Sequence, residues 1–476
     1  MQPLTVITGA SGYIGGALVE RLSPRMRVAG LSRSHAPGMD AHGVEWRKAD
    51  LFSLAQTRAA LAGARYIIYL VHSMQPSARL TQARFEDLDL LMADNVARAA
   101  REAGAEQIIF LGGLVPETSG LSRHLRSRLE VERALSAYGV PVTALRAALV
   151  VGPHASSLPI LVRLVRRLPV MLTPRWTRTL TQPIALEDVL ALIEYSIGNR
   201  ALYGQHYDIG GPEVLTYREM MLQTAQVLGL KRTLLDVPLL TPRLSSAWVT
   251  LVSRTPSALV RPLVESLAHP MVVSQEHRLV APGQRLIPFP EALGQVLKQA
   301  EDSPARKKPP ARRRPPRTVR SVQRLYLPPD KDALWLSDEY RGWLPRFMRP
   351  FLRVERDVQR TLTFSLRWLR QPLLVLSYSE DLSTADRVLY YITGGALARS
   401  QQPVRGRLEF RVMPGGRHAL TAIHDFEPRL PWRLYTQTQA RVHMFVMNAF
   451  GRHLRRQVRS AQNGHDAHHH QPGPGE

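Results

Sequence analysis

A chain of 476 residues, 44% of them hydrophobic, is too long for one ordinary domain and can bury the cores of two or three. It has no cysteine, which excludes disulfides, thiolate metal sites and cysteine nucleophiles together. The formal charge of +24 is almost all arginine, with lysine only at Lys48, Lys231, Lys298, Lys307, Lys308 and Lys331, so the skew reads as compositional; nucleic acid is not the expected partner, although such a surface suits anionic lipid or acidic protein faces.

The chain enters the apolar run Leu4 to Ile7 with no charged and apolar leader, and no run of about eighteen apolar residues follows, so a soluble cytoplasmic protein is expected. Next comes Thr8-Gly9-Ala10-Ser11-Gly12-Tyr13-Ile14-Gly15. Three glycines let a strand turn sharply into a helix, so that backbone N–H groups and the positive end of the helix dipole face a diphosphate. Small residues also serve plain helix–strand packing. What favours a nucleotide is the context, a strand before, a helix at 14–22 and a second strand at Arg27 to Leu31. Further strands are predicted at Val44 to Lys48, Tyr66 to Val71, Gln107 to Leu111 and Val142 to Arg146, with helices at 53–62, 83–103 and 122–138 between them. The alternation predicts an α/β fold, a Rossmann-type doubly wound parallel sheet.

Strand ends carry the cofactor expectations, because ligands of open α/β sheets bind there. Strand two ends Leu31-Ser32-Arg33-Ser34, with no acid before Asp40, which favours NADP(H) over NAD(H); the alternative is one more surface arginine. Strand four delivers Val71 and His72, expected beside the adenine ribose and diphosphate. His72 reads equally as a strand-end histidine bonded to a carbonyl.

Residues 151–300 are irregular and arginine-rich and are assigned to the substrate side of the same domain, so that it spans 1–300. Residues 301–321 interleave Arg306, Lys307, Lys308, Arg312, Arg313, Arg314, Arg317 and Arg320 with prolines and read as a linker, or as a polybasic patch for anionic lipid. Residues 322–457 read as a smaller α+β domain. Strands at 358–366, 372–378, 387–393, 405–412 and 418–426 form an antiparallel sheet against a long C-terminal helix at 432–457, a helix-grip-like shape in which Val442, Phe445, Val446, Ala449 and Phe450 share a face. Residues 458–476, with His465, His468, His469 and His470, read as a disordered tail rather than a metal site.

The Gly-x-x-Gly-x-x-Gly spacing resembles the short-chain dehydrogenase/reductase fingerprint. Together with Tyr69-Leu70-Val71-His72, Ile108-Ile109-Phe110-Leu111, Val142-Thr143-Ala144-Leu145-Arg146 and Pro183 to Val189, it makes the first 300 residues similar to atypical short-chain dehydrogenases. The likeness is to bacterial YbjT-like NAD(P)-binding proteins and, more distantly, to the 39-kDa subunit of respiratory complex I and NmrA-like regulators. The resemblance implies cofactor contacts at Gly9, Ser11, Gly12, Tyr13, Ile14 and Gly15. It also implies that Asp50, followed by Leu51, holds the adenine amino group.

The chain departs from that family where catalysis is concerned. The family's proton-passing tyrosine, paired with a lysine four residues later, is missing: none of the fourteen tyrosines has a lysine at that spacing. In the matching helix His124 falls where the tyrosine would be and Arg128 where the lysine would be. Arginine holds ribose hydroxyls but relays no proton, whereas histidine donates one near neutral pH. The usual serine is replaced by Gly112-Gly113-Leu114. Two readings follow: an NADPH-dependent oxidoreductase of a small apolar substrate with His124 as proton donor, or a non-catalytic NADP(H) sensor or accessory protein that binds a protein complex or makes peripheral membrane contact.

Overall fold

The computed structural model describes residues 2–72, 79–118, 120–153, 158–237, 250, 266–302, 318–369, 371–399 and 405–468. They divide into two compact units, Met1–Met74 with Met92–Pro309, and Gln75–Leu91 with Pro310–Glu476.

The first unit is built on β1 (Thr5–Thr8), β2 (Val28–Ser32), β3 (Gly38–Met39), β4 (Glu45–Lys48) and β5 (Tyr66–Tyr69). After β6 (Leu80–Gln82), which belongs to the second unit, it resumes with β7 (Gln107–Gly113) and β8 (Val142–Ala147). Short pairs then join β9 (Val150–Val151) to β12 (Ile184–Ala185), β10 (Val170–Pro174) to β15 (Thr233–Val237), and β11 (Leu180–Thr181) to β14 (Leu215–Thr216). With β13 (His206–Ile209) the main sheet has the order β13-β8-β7-β5-β1-β2-β4-β3, parallel except for β3. The helices are α1 (Tyr13–Leu22), α2 (Leu54–Leu61), α3 (Phe85–Glu102, in this unit from Met92 on), α4 (Arg123–Leu135), α5 (Leu158–Arg167), α6 (Leu186–Ser196) and α7 (Tyr217–Val227).

Both faces of the central strands are covered, which is why β1 and β2 read as unbroken apolar or small runs and every residue in them is buried. On one face Leu18, Val19 and Leu22 of α1 join Val189, Leu190 and Ile193 of α6 over Ile7, Ile68, Ile109 and Leu145. Because β1 lies between β2 and β5, the sheet reverses its winding direction there. A doubly wound sheet opens its ligand crevice at that point. Beyond β8, α5, α7 and the helix Phe289–Asp302 bury a second cluster that includes Leu161, Met220, Met221 and Phe289. Asp188 fastens this part of the chain, accepting from the Ile287 amide (2.9 Å) and the Gln284 side chain (3.0 Å). Its carboxyl is raised by burial, against those two bonds.

The second unit holds a sheet of order β17-β18-β19-β20-β21-β22-β16-β6, antiparallel except where β6 joins β16. Its strands are β16 (Val319–Tyr326), β17 (Leu352–Arg356), β18 (Leu362–Leu366), β19 (Pro372–Tyr378), β20 (Arg387–Gly394), β21 (Arg407–Val412) and β22 (His418–Phe426). One face packs on the helix Ala333–Phe347 and the final helix Gln439–His468, where the rings of Tyr340, Trp343, Phe410 and Phe450 lie 5.1–5.6 Å apart. The other face carries a buried charge cluster. Glu409 accepts from Arg387 Nε (2.9 Å) and Arg411 Nε (2.6 Å), and His424 Nε2 lies 3.3 Å from it.

Five expectations need correction here. Of the strand expected at 358–366 only β18 is strand; 357–361 are the turn of the β17–β18 hairpin, in which Asp357 accepts from the Thr361 amide (2.7 Å) and Arg360 turns left-handed (φ +60°). Arg320, assigned to the linker, is buried in β16 and lies 3.7 Å from Asp425; residues 303–317 lie outside the described residues. The helix at 432–457 is two helices, Trp432–Gln437 and Gln439–His468, broken at Thr438 (φ −117°, ψ −86°). The second runs past Ala461, since a helix once nucleated extends at little cost through residues such as Ala461 and Gln462, and only 469–476 of the expected tail fall outside the description. Of the face expected to be buried, Val446, Ala449 and Phe450 are buried, while Val442 and Phe445 are exposed.

Candidate functional site

The glycine turn sits at the reversal point of the sheet. Gly9 follows β1 with φ +72°, and a side chain there would meet the Leu70 carbonyl at 3.4 Å and Val71 at 3.5 Å. The Gly12 amide donates to the Gly9 carbonyl (2.8 Å), closing the turn. Gly12 is also the N-cap of α1, with extended backbone and no side-chain cap. The first N–H groups of α1 therefore point out of the helix start with no side chain across them, as an anion site requires. A Cβ on Gly15 would stand 2.3 Å from the Gly9 oxygen, so the helix approaches the turn this closely only without one.

Ser11 is exposed at the crest of the turn; Tyr13 and Ile14 open α1 and pack partly into the core. The Tyr13 hydroxyl occupies the space that Gly152 leaves, where a Cβ would lie 1.3 Å from it. Burial, and then the nearby Glu187, raise this phenol well above its ordinary range. Gly152 stands out in the sequence only as part of Val151-Gly152-Pro153, and nothing local marks it as the partner of a tyrosine 139 positions earlier.

Arg33 is exposed just beyond β2, in a turn where Ser32 Oγ accepts from the Ser34 (3.2 Å) and His35 (3.4 Å) amides. His35 stacks on Trp46 at 4.1 Å. Asp50, just after β4, accepts from the Phe52 amide (3.2 Å) in the turn into α2, and the buried Leu51 offers its carbonyl to Asn95 Nδ2 (2.7 Å). Gly9, Arg33, Asp50, Val71 and His72 thus follow the C-terminal ends of β1, β2, β4 and β5, all on one edge of the sheet.

Two residues expected in different roles meet. The rings of His72 and His124 lie 5.2 Å apart, tilted by 41°. His124 belongs to the first turn of α4, which Ser122 caps by accepting from the Leu125 amide. Arg128, one turn later, is 7% exposed. Its Nη2 donates to the Leu111 carbonyl (2.8 Å) and its guanidinium lies 4.7 Å from the Phe110 ring centre, so it braces the end of β7.

Beside His124 opens a cavity of about 170 Å³. Gly113 of β7 and Ala147 of β8 form its floor, Leu161 and Leu164 of α5 one wall, and Met220 and Met221 of α7 another. Among the described residues, polar side chains on the lining are few: the His124 ring, the Trp176 indole, the Tyr217 phenol and the Ser266 hydroxyl, which lies 3.0 Å from Ser122 Oγ. Burial, eased by a bond to Thr181, pushes the Tyr217 phenol up to about 12, so it stays protonated. Sequence reasoning missed this lining, because it gathers ordinary apolar residues from segments more than a hundred positions apart.

Comparison with known proteins agrees with this geometry. Residues 5–172 match the NAD dependent epimerase/dehydratase family. The auxiliary protein GraX of Staphylococcus aureus is 29% identical over 144 residues, which are 30% of this chain and 43% of GraX. In structure the chain is similar to a nucleoside-diphosphate-sugar epimerase of Staphylococcus aureus (TM-score 0.50, 16% identity, 61% of this chain and 99% of that one). It is similar also to an NADPH-dependent quinone oxidoreductase of Escherichia coli solved with NADPH (TM-score 0.50, 18% identity, 62% and 99%). Identities this low speak for the fold alone, and the fold, the glycine turn and the family match agree: residues 5–172 have a Rossmann-type fold and match the NAD dependent epimerase/dehydratase family.

Proposed function

We propose that the protein is an NADP(H)-dependent reductase of a small apolar substrate. The observation that carries this reading is the cavity. It opens at the C-terminal ends of β7 and β8 and, among the described residues, is lined mostly by Leu, Met, Ala, Ile and Trp, with the His124 ring on its wall. A nucleotide sugar would need many hydroxyl and phosphate partners, and this lining has few to give.

The residues present fit the cofactor. Gly9, Gly12 and Gly15 keep side chains off the turn, the uncapped start of α1 presents N–H groups to a diphosphate, and Arg33 lies past β2, where a ribose phosphate would need a cation. NADPH supplies a hydride when bound. His124 is placed to give the proton that the reduced substrate takes up, His72 packs against it, and the apolar walls keep water out.

Two measurements test this. His124→Gln should lower the rate of NADPH oxidation with apolar ketones, quinones or enoyl compounds by roughly 10²- to 10⁴-fold while leaving the NADPH Kd unchanged. No turnover by the unaltered protein across these classes would end the reductase reading. Arg33→Ala should weaken NADPH roughly tenfold or more and leave NADH alone, as expected where an arginine accommodates the 2′-phosphate. Equal effects on both would remove the preference for NADP(H).

One observation favours the non-catalytic reading. Arg128 donates through Nη2 to the Leu111 carbonyl and lies over the Phe110 ring, so part of its guanidinium serves the fold. GraX, too, is described as an auxiliary protein. On this reading bound NADP(H) stabilises the folded unit, and NADPH should raise the melting temperature in the absence of any turnover.

A further inference from the structure

We propose that the second unit docks on an anionic bilayer surface through an exposed aromatic patch ringed by arginines. The proposal is independent of whether the first unit turns over a substrate.

Two exposed aromatic pairs, Phe347 with Phe445 and Phe351 with Trp368, supply the apolar surface from neighbouring stretches of chain. Phe347 ends the helix Ala333–Phe347, stacks on Trp343 at 4.5 Å and lies 5.7 Å from Phe445 of the final helix. Four residues on, Phe351 meets Trp368 edge-on at 5.6 Å, and the Arg367 amide donates to the Phe351 carbonyl (3.0 Å). These rings are not a core that happens to reach the surface: Phe351 is 50% exposed, Phe445 58% and Trp368 62%. Leu369 and Val442 add apolar surface at 47% and 51%. Scattered apolar residues on a surface need no explanation, but aromatic rings held against one another in water do.

The surroundings choose the occupant. Arg346, Arg349, Arg353, Arg367 and Arg441 are exposed along the same stretches of chain, and of the acids there Glu355 is paired with Arg353 at 2.5 Å and Asp357 holds the turn after β17. A second copy of the chain, docked face to face, would set these arginines against their own counterparts. A bilayer of anionic lipid presents phosphates to the arginines and, just below, an apolar boundary in which Trp and Phe side chains are at home. Rings and charges together give the two signals that lasting but reversible attachment requires. No described helix is long and apolar enough to cross a membrane, so attachment of this kind is peripheral.

The test uses the full chain and sedimentation with phosphatidylcholine vesicles, with and without phosphatidylglycerol. The unaltered protein should sediment with the anionic vesicles. Phe351→Ser with Trp368→Ser should lower partitioning roughly tenfold or more, and Arg349→Glu with Arg367→Glu should do likewise. Leu172→Ser with Leu235→Ser, which removes exposed apolar residues from β10 and β15 in the first unit, should change nothing. Failure of the unaltered chain to bind, an equal loss in the Leu172/Leu235 variant, or unchanged binding in both patch variants would overturn the proposal. So would a patch variant that keeps its vesicle binding but turns a dimer into a monomer in analytical ultracentrifugation, since the face would then belong to a second copy.

Discussion

Replacing Gly15 with alanine should abolish dinucleotide binding. The added methyl would stand 2.3 Å from the Gly9 carbonyl oxygen and 2.8 Å from Ala10 Cα, both backbone atoms that no rotamer change can move aside. Either α1 withdraws or the turn opens, and in each case the N–H groups at the helix start leave the line on which a diphosphate would meet them. A loss of affinity of at least roughly a hundredfold follows, with overpacking costing about 1–3 kcal/mol in stability. Gly16→Ala is the matched control, since a Cβ there would meet the Ala10 oxygen at an ordinary 3.7 Å. Titration of NADPH fluorescence on both variants checks this. Wild-type affinity in Gly15→Ala would mean that the turn is not the phosphate site.

A comparably large effect, on stability, is expected from Glu409→Gln. The carboxylate is 2% exposed and faces Arg387 and Arg411, both buried, with His424 beside it. Removing its charge leaves buried guanidinium groups uncompensated, which costs about 3–5 kcal/mol where such pairs are broken from one side. Urea denaturation of the two proteins at pH 7 would measure it, and a difference below about 1 kcal/mol would sink the idea. The pH dependence has a definite direction. Burial alone would raise the Glu409 carboxyl, but the charges of Arg411 and Arg387 outweigh it and hold it well below its usual range of 4.5. The stabilisation it gives is complete above that range and is lost as pH falls toward the lower folded-state value. Burial likewise holds His424 below 6.5, against the pull of Glu409, so the native fold prefers the neutral ring. That contribution also fades as pH drops below 6.5. The protein should therefore weaken on the acid side from about pH 6.5, more steeply below about 4.5, and Glu409→Gln should flatten the steeper part.

The glycine turn was legible because its chemistry is local: a sharp strand-to-helix turn demands small residues within seven positions, and Gly9, Gly12 and Gly15 state it outright. Strands β1, β2, β5, β7 and β8 were legible for a similar reason, as runs buried on both faces carry no competing period. Arg128 was placed on the correct helix by its spacing from His124, but the carbonyl it bonds belongs to another strand, and spacing along a helix says nothing of that. The cavity was illegible in principle, since Leu161, Trp176 and Met220 look like any core residues until the fold gathers them. In the second unit, Val442 and Phe445 continue the apolar period of the final helix, so periodicity assigned them to the core, yet both are exposed while Ala440 before them and Val446 after them are buried. The hairpin at 357–361 was hidden because Val358 extends the apolar pattern across a turn that Asp357 makes.

Strand β6 carries a consequence for synthesis. Its partner β16 is reached only after some 239 further residues, the separation between Gln82 and the Ser321 hydroxyl that bonds its carbonyl. At roughly 5–20 residues per second, a ribosome needs on the order of tens of seconds to make that stretch. For all of that time Leu80–Gln82 has left the ribosome with its backbone groups unmatched, while the strands before and after it can already pair within the first sheet. The nascent chain thus holds an open strand in the middle of its earliest folded part, a natural point for a chaperone to grip or a protease to cut. A chain that ends before Val319 leaves that strand without its partner for good.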